Sequence, residues 1–134
     1  MSSSQETQRF LRDGYAALSR ADIDAWLQGV HADAELHELS EVPDAAIYRG
    51  PDGFRAWAEA ALELVEEWEW EPEEFVVDHG DVAVVRVNLR IRGRGGVPVE
   101  QTVFHVFRLR DAMLVEIRAY LEQREALEAV GRSE

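Results

Sequence analysis

Cysteine is absent from all 134 residues. Disulfides, thiolate nucleophiles and cysteine metal ligands are thereby excluded, although the absence does not identify a compartment. Basic residues are scarce: 14 Lys+Arg stand against 27 Asp+Glu, for a formal net charge of −13. A chain this acidic lacks the electrostatic footprint of a nucleic-acid binder, and Arg90, Arg92 and Arg94 read as a solvated strand end. No run approaches 18 apolar residues, so no membrane partner is expected, and the opening Met1–Glu6 has neither the basic region nor the apolar core of a signal peptide. A soluble cytoplasmic protein is the default expectation. The histidines, His31, His37, His79 and His105, form no short-range ligand motif, so no metal is expected. Arg92-Gly93-Arg94-Gly95-Gly96 is glycine-rich but joins two strands instead of opening a helix, and cannot offer phosphate a helix N-terminus. No nucleophile elbow occurs, and no cofactor is called for.

What remains is a chain that is 46% hydrophobic and 9% aromatic, enough for one globular domain over 1–134. Its first half is helical. Ser3 and Glu6 have capping-box spacing, and Phe10, Leu11, Gly14, Tyr15 and Leu18 follow with helical period, placing Tyr15 inward. Asp22 suits the cap of a short second helix with the stripe Ile23, Trp26, Leu27, Val30, after which His31 reads as a helix-end residue. Ala34–Leu39 reads as a strand with Leu36 and Glu38 on one face and His37 and Leu39 on the other. Gly50-Pro51 opens a third helix with the stripe Phe54, Trp57, Ala58, Ala61, Leu62, Val65. Four strands follow, roughly 68–79, 82–92, 97–110 and 113–121, joined by turns short enough for hairpins, and a helix over 122–130 stops before Gly131. The acidic run from Glu63 to Glu74 reads as a solvated face.

The third of these strands carries the strongest chemical signal. Its odd positions, Val97, Val99, Gln101, Val103, His105, Phe107 and Leu109, form one face turned to a core or cavity. His105 there is either a core histidine with a satisfied hydrogen bond or a working group. The even face carries Thr102, Phe104 and Val106, an apolar patch that needs cover. A second subunit, or a terminal helix of the same chain, would supply it.

The element order, together with Asp22-Ile23-Asp24, Ala32-Asp33-Ala34-Glu35-Leu36, Tyr48-Arg49-Gly50-Pro51-Asp52-Gly53-Phe54, Phe107-Arg108-Leu109-Arg110-Asp111, Val115–Tyr120 and Glu125–Ala129, resembles the nuclear transport factor two-like superfamily, and most closely its SnoaL-like branch. That resemblance implies an α+β fold: a cone-shaped, curved antiparallel sheet wrapped by three N-terminal helices, with a short C-terminal helix. It also implies a homodimer through the outer sheet face. Ketosteroid isomerases of the superfamily carry a carboxylate base late in the first strand, which falls on Glu38. Their cavity tyrosine falls on Gly14, beside Tyr15, and their buried acid falls on His105.

A carboxylate enclosed by apolar walls loses hydration, so the Glu38 pKa is expected above the reference of about 4.3, as suits a base near neutrality. His105 would donate to a developing oxyanion or act as a second acid/base. A direct Glu38–His105 ion pair closing the cavity, or a Glu38 leaning into solvent, is the structural alternative. Tyr15, Trp26, Trp57 and Trp68, with Gln101 and Phe107, are the expected lining for a flat apolar ligand, unless the aromatic residues are simply core. The expectation is a cofactor-independent isomerase, cyclase or lyase acting on an apolar, polycyclic substrate. A non-catalytic binding domain for an apolar metabolite and a dimeric interaction module are the alternatives.

Overall fold

The computed structural model describes residues 3–39 and 46–131. Helix α1 (Ser3–Ser19) places Leu11, Tyr15 and Leu18 in the interior, as their spacing on one helical face requires. Helix α2 (Ile23–Leu27) is capped by Asp22, whose Oδ1 accepts the Ala25 N–H at 3.3 Å. Strand β1 (Val30–His37) follows, then β2 (Ile47–Arg49) and α3 (Gly50–Leu64). Strands β3 (Val65–Asp78), β4 (Val82–Gly93), β5 (Val99–Arg110) and β6 (Met113–Tyr120) form the expected meander, closed by α4 (Gln123–Ala129).

The six strands among the described residues form one sheet of order β2-β1-β6-β5-β4-β3. The meander is antiparallel, whereas β1 runs parallel to β6. Register shifts between Pro72 and Glu74 and between Phe75 and Val77 interrupt the pairing of β3 with β4. Such irregularities bend a strand, and the sheet curls around the first three helices without closing. The result is the α+β cone implied by the resemblance.

Several local expectations change. His31 lies in β1, not at a helix end, because α2 stops at Leu27. Val65 opens β3 instead of closing the α3 stripe. The three-residue β2 was not foreseen; it pairs antiparallel with β1 over 35–37 and is too short to show a period of its own.

Two apolar clusters sit on opposite faces of the sheet. The inner one joins α1, α2 and α3 to the concave face through Leu11, Tyr15, Phe54, Ala58, Trp68, Trp70, Val85, Val103 and Phe107. The outer one packs Ala126 and Leu127 of α4 on Val77, Val84, Phe104 and Val106. The helix that follows β6 therefore covers Phe104 and Val106 of the even face of β5 within the same chain, while Thr102 stays exposed. Beside it, the acidic run becomes a cross-strand ladder: Glu66 and Glu67 bind Arg92, Glu69 binds Arg90, and Glu73 and Glu74 bind Arg86.

Candidate functional site

The concave face of the sheet and the three helices packed on it bound an open-mouthed cavity of about 650 Å³. Its walls come from α1 (Leu11, Gly14, Tyr15, Leu18), from Trp26 and Trp57, and from the inner face of the sheet at Leu36, Trp70, Leu89, Val103, His105 and Phe107. Alternation explains the sheet side: Val103, His105 and Phe107 are successive inward positions of β5, and Trp68 and Trp70 are successive inward positions of β3.

His105 is 6% exposed. Its Nδ1 lies 2.6 Å from the Tyr15 hydroxyl, a buried contact between α1 and β5. The two rings stack at 5.7 Å between centroids, Trp70 leans on the imidazole at 5.7 Å, and Phe107 meets it edge-on at 5.7 Å. Burial among these rings disfavours the imidazolium and lowers the His105 pKa from 6.5 to about 4. The same desolvation raises the Tyr15 pKa well above its ordinary 10. Both groups are therefore neutral at physiological pH.

Neutrality leaves two ways to share one proton, and hydrogen-bond satisfaction selects between them. If Nδ1–H donated to the phenol oxygen, the buried Tyr15 hydroxyl hydrogen would need another acceptor, and Tyr15 has none among the described residues. A phenol donating to Nδ1 satisfies both atoms and suits the short separation. This assignment puts the remaining ring proton on Nε2, so His105 presents an N–H donor.

Glu38 stands one residue past the end of β1, half-buried and on the cavity wall. Its Oε1 accepts the Ala46 N–H at 3.1 Å, which ties the chain after β1 to the chain entering β2. Among the described residues no ion pair joins it to His105. The two groups share a cavity without closing it.

Tyr15, Trp26, Trp57 and Phe107 also line the cavity, but two expected lining residues do not. Trp68 is buried behind the wall, its indole N–H donating to the Leu18 carbonyl at 2.8 Å. Gln101 is exposed, on the part of β5 beyond the cavity, where its side-chain amide donates to the Thr102 carbonyl at 3.0 Å. Trp70 takes the place expected of Trp68. The two have the same parity on β3, so alternation alone could not choose between them. Register does: Trp70 pairs with Leu89 of β4, another wall residue, whereas Trp68 pairs with Ile91 nearer the sheet end.

His37 and Leu39, expected on the face opposite Glu38, line the cavity as well, since strand pairing of β1 ends at His37 and alternation no longer sorts the residues beyond it. At the cavity's edge, His37 belongs to a cluster with the composition of a cation site. Glu35, His37 and Glu116 bring one ligand atom each within 4.8 Å. Their oxygens are already engaged: Arg49 and His37 bind Glu35, while Arg108 and Arg118 each bind Glu116 at 3.2 Å. A cation there would have to displace guanidinium groups, and the cluster is an ion-pair network spanning β2, β1, β6 and β5.

The fold and the aromatic cavity define a class: small cone-shaped α+β domains built around an interior site. The SnoaL-like domain family profile matches residues 11–117, and the chain belongs to that family. Among solved structures, the chain superposes on an NTF2-like protein of unknown function from Burkholderia pseudomallei with a TM-score of 0.78, at 21% identity over 96% of this chain and 97% of that one. It matches a putative polyketide cyclase from Sinorhizobium meliloti with a TM-score of 0.69, at 25% identity over 87% and 97% of the two chains. TerC, co-crystallised with polyporic acid, matches with a TM-score of 0.78, at 19% identity over 97% and 99%. No curated protein matches the chain in sequence. Among the described residues no helix is long and apolar enough to cross a membrane.

Proposed function

We propose that this protein is a cofactor-independent acid/base enzyme for a flat, apolar carbonyl compound bound in the cone, of isomerase, cyclase or lyase type. The observation that carries the reading is the buried His105, its Nδ1 2.6 Å from the Tyr15 hydroxyl, on the wall of a cavity that Glu38 also lines. Glu38 removes a proton next to the substrate carbonyl. The negative charge that develops on the carbonyl oxygen is met by the His105 Nε2–H, itself buried among aromatic rings. His105 serves as a hydrogen-bond donor, not as a proton shuttle. Full proton transfer from Nε2 would have to be made good at Nδ1 from Tyr15, whose burial opposes tyrosinate.

The SnoaL-like family supports a small-molecule role, as does the likeness of the fold to a putative polyketide cyclase and to TerC, co-crystallised with polyporic acid. The test is hydrogen–deuterium exchange at the α-carbon of 2-tetralone, a flat bicyclic ketone, followed by NMR. Wild-type protein should accelerate exchange, and Glu38→Gln should slow it at least about a hundredfold while leaving tetralone affinity nearly unchanged. Equal exchange by the two proteins would remove Glu38 as the base.

One observation favours a second reading. The Glu38 carboxylate already accepts a backbone N–H, a structural use that a pure binding domain would also keep. In that case tetralone quenches tryptophan fluorescence but exchanges no faster than in buffer.

A further inference from the structure

Gly14 is a helix-interior glycine that neither backbone nor packing requires. It lies well inside α1, where glycine is the poorest ordinary helix former. It is not among the glycines with left-handed φ. A Cβ added there would meet only Trp26 Cδ1, at 3.8 Å, an ordinary van der Waals contact. Gly29 shows what a packing glycine looks like, since a Cβ there would fall 2.5 Å from the Phe10 ring. Gly14 does line the cavity, adjacent in sequence to Tyr15, whose hydroxyl holds His105. The missing side chain leaves volume in the same cavity that His105 lines.

We propose that Gly14 sets the length of ligand the cavity accepts: a linear, fused-ring aryl ketone with its carbonyl oxygen at His105 Nε2 and its distal ring in the space beside Gly14 and Trp26. This inference rests on the cavity being a small-molecule site, as proposed above. The aromatic lining selects a flat ring system, the neutral imidazole selects an uncharged acceptor, and the gap at Gly14 selects length. Gly14 is a specificity-determining position and takes no part in proton transfer.

The probes are acetophenone, 2-acetylnaphthalene and 2-acetylanthracene, with one, two and three rings, titrated against tryptophan fluorescence in the full chain. Affinity for wild-type protein should rise with each ring. In Gly14→Leu the three-ring ketone should bind at least about tenfold more weakly than to wild type, the loss expected when one ring is no longer buried, while acetophenone binding is unchanged. Gly14→Ala fits without movement, should melt at or above the wild-type temperature, and should weaken only the three-ring ketone, by about threefold. It decides the matter if the leucine variant fails to fold. Length-independent binding in the folded variants, or an equal loss for all three ketones, overturns the assignment of Gly14 alone. Failure of wild-type protein to bind any ketone overturns the cavity reading as well.

Discussion

The Tyr15–His105 contact shows how one buried hydrogen bond fixes a chemical state. Tyr15→Phe keeps the ring and its stacking but leaves Nδ1 without a donor in a buried site. Denaturant unfolding should show a loss of about 1–3 kcal/mol, and the imidazole, no longer held in one tautomer, should lose most of the rate advantage in tetralone exchange. A pH effect follows from the lowered His105 pKa. The imidazole takes up its proton near pH 6.5 in the unfolded chain but only near 4 in the fold. Between those values the unfolded state binds more protons, so stability falls as pH drops through that window and is unaffected by this group above it. The loss is on the order of 3 kcal/mol when complete. His105→Gln, whose side chain can still accept from Tyr15, should abolish that part of the pH dependence in melts between pH 4 and 7. An unchanged slope would show that burial does not suppress the imidazolium. His105 was legible as an inward residue because strand alternation is local, but its partner was not. Tyr15 is 90 residues away, and helical period reports which face it occupies without saying what faces it.

Turn chemistry at the scale of elements gives a sharper expectation than propensity does. The β5–β6 hairpin turns through Asp111 and Ala112 with φ of 54° and 62°, both left-handed, the conformation that matches strand twist in a two-residue turn. Alanine pays for its Cβ there. Ala112→Gly should stabilise the protein by about 1 kcal/mol, seen as a higher melting temperature, because glycine adopts this conformation without the steric penalty. The β3–β4 ladder makes the opposite point. Its glutamate–arginine pairs are largely exposed, so Glu74→Gln should change stability by less than about 1 kcal/mol in chemical denaturation. The meander and its turns were legible because each strand has a two-residue period bounded by turn residues. β2 was not, since three residues define no period and its pairing with β1 is a tertiary event.

Across the whole molecule, the sheet is buried on both faces, by α1–α3 on the concave side and by α4 on part of the convex side. Leu127 is the largest α4 side chain in the outer cluster, and Leu127→Asp should undock the helix and expose Phe104 and Val106. Light scattering should then show a mass above that of the wild type at the same concentration, rising with concentration, as expected of a bared apolar sheet face. An unchanged mass would mean that α4 is not what shields this surface. Sequence by itself determined the helices, the four-strand meander and the inward placement of Tyr15 and His105, while the curling of the sheet into a cone was implied only by the family resemblance. The elements and the inward placements rest on local period, caps and turns, which are written within a few neighbouring residues. Only the tertiary structure decided that Trp70 and not Trp68 walls the cavity, that α4 covers Phe104 and Val106, and that Tyr15 meets His105. These depend on strand register, sheet curvature and the docking of helices, where residues far apart in the chain compete for the same space, and no local pattern records who wins.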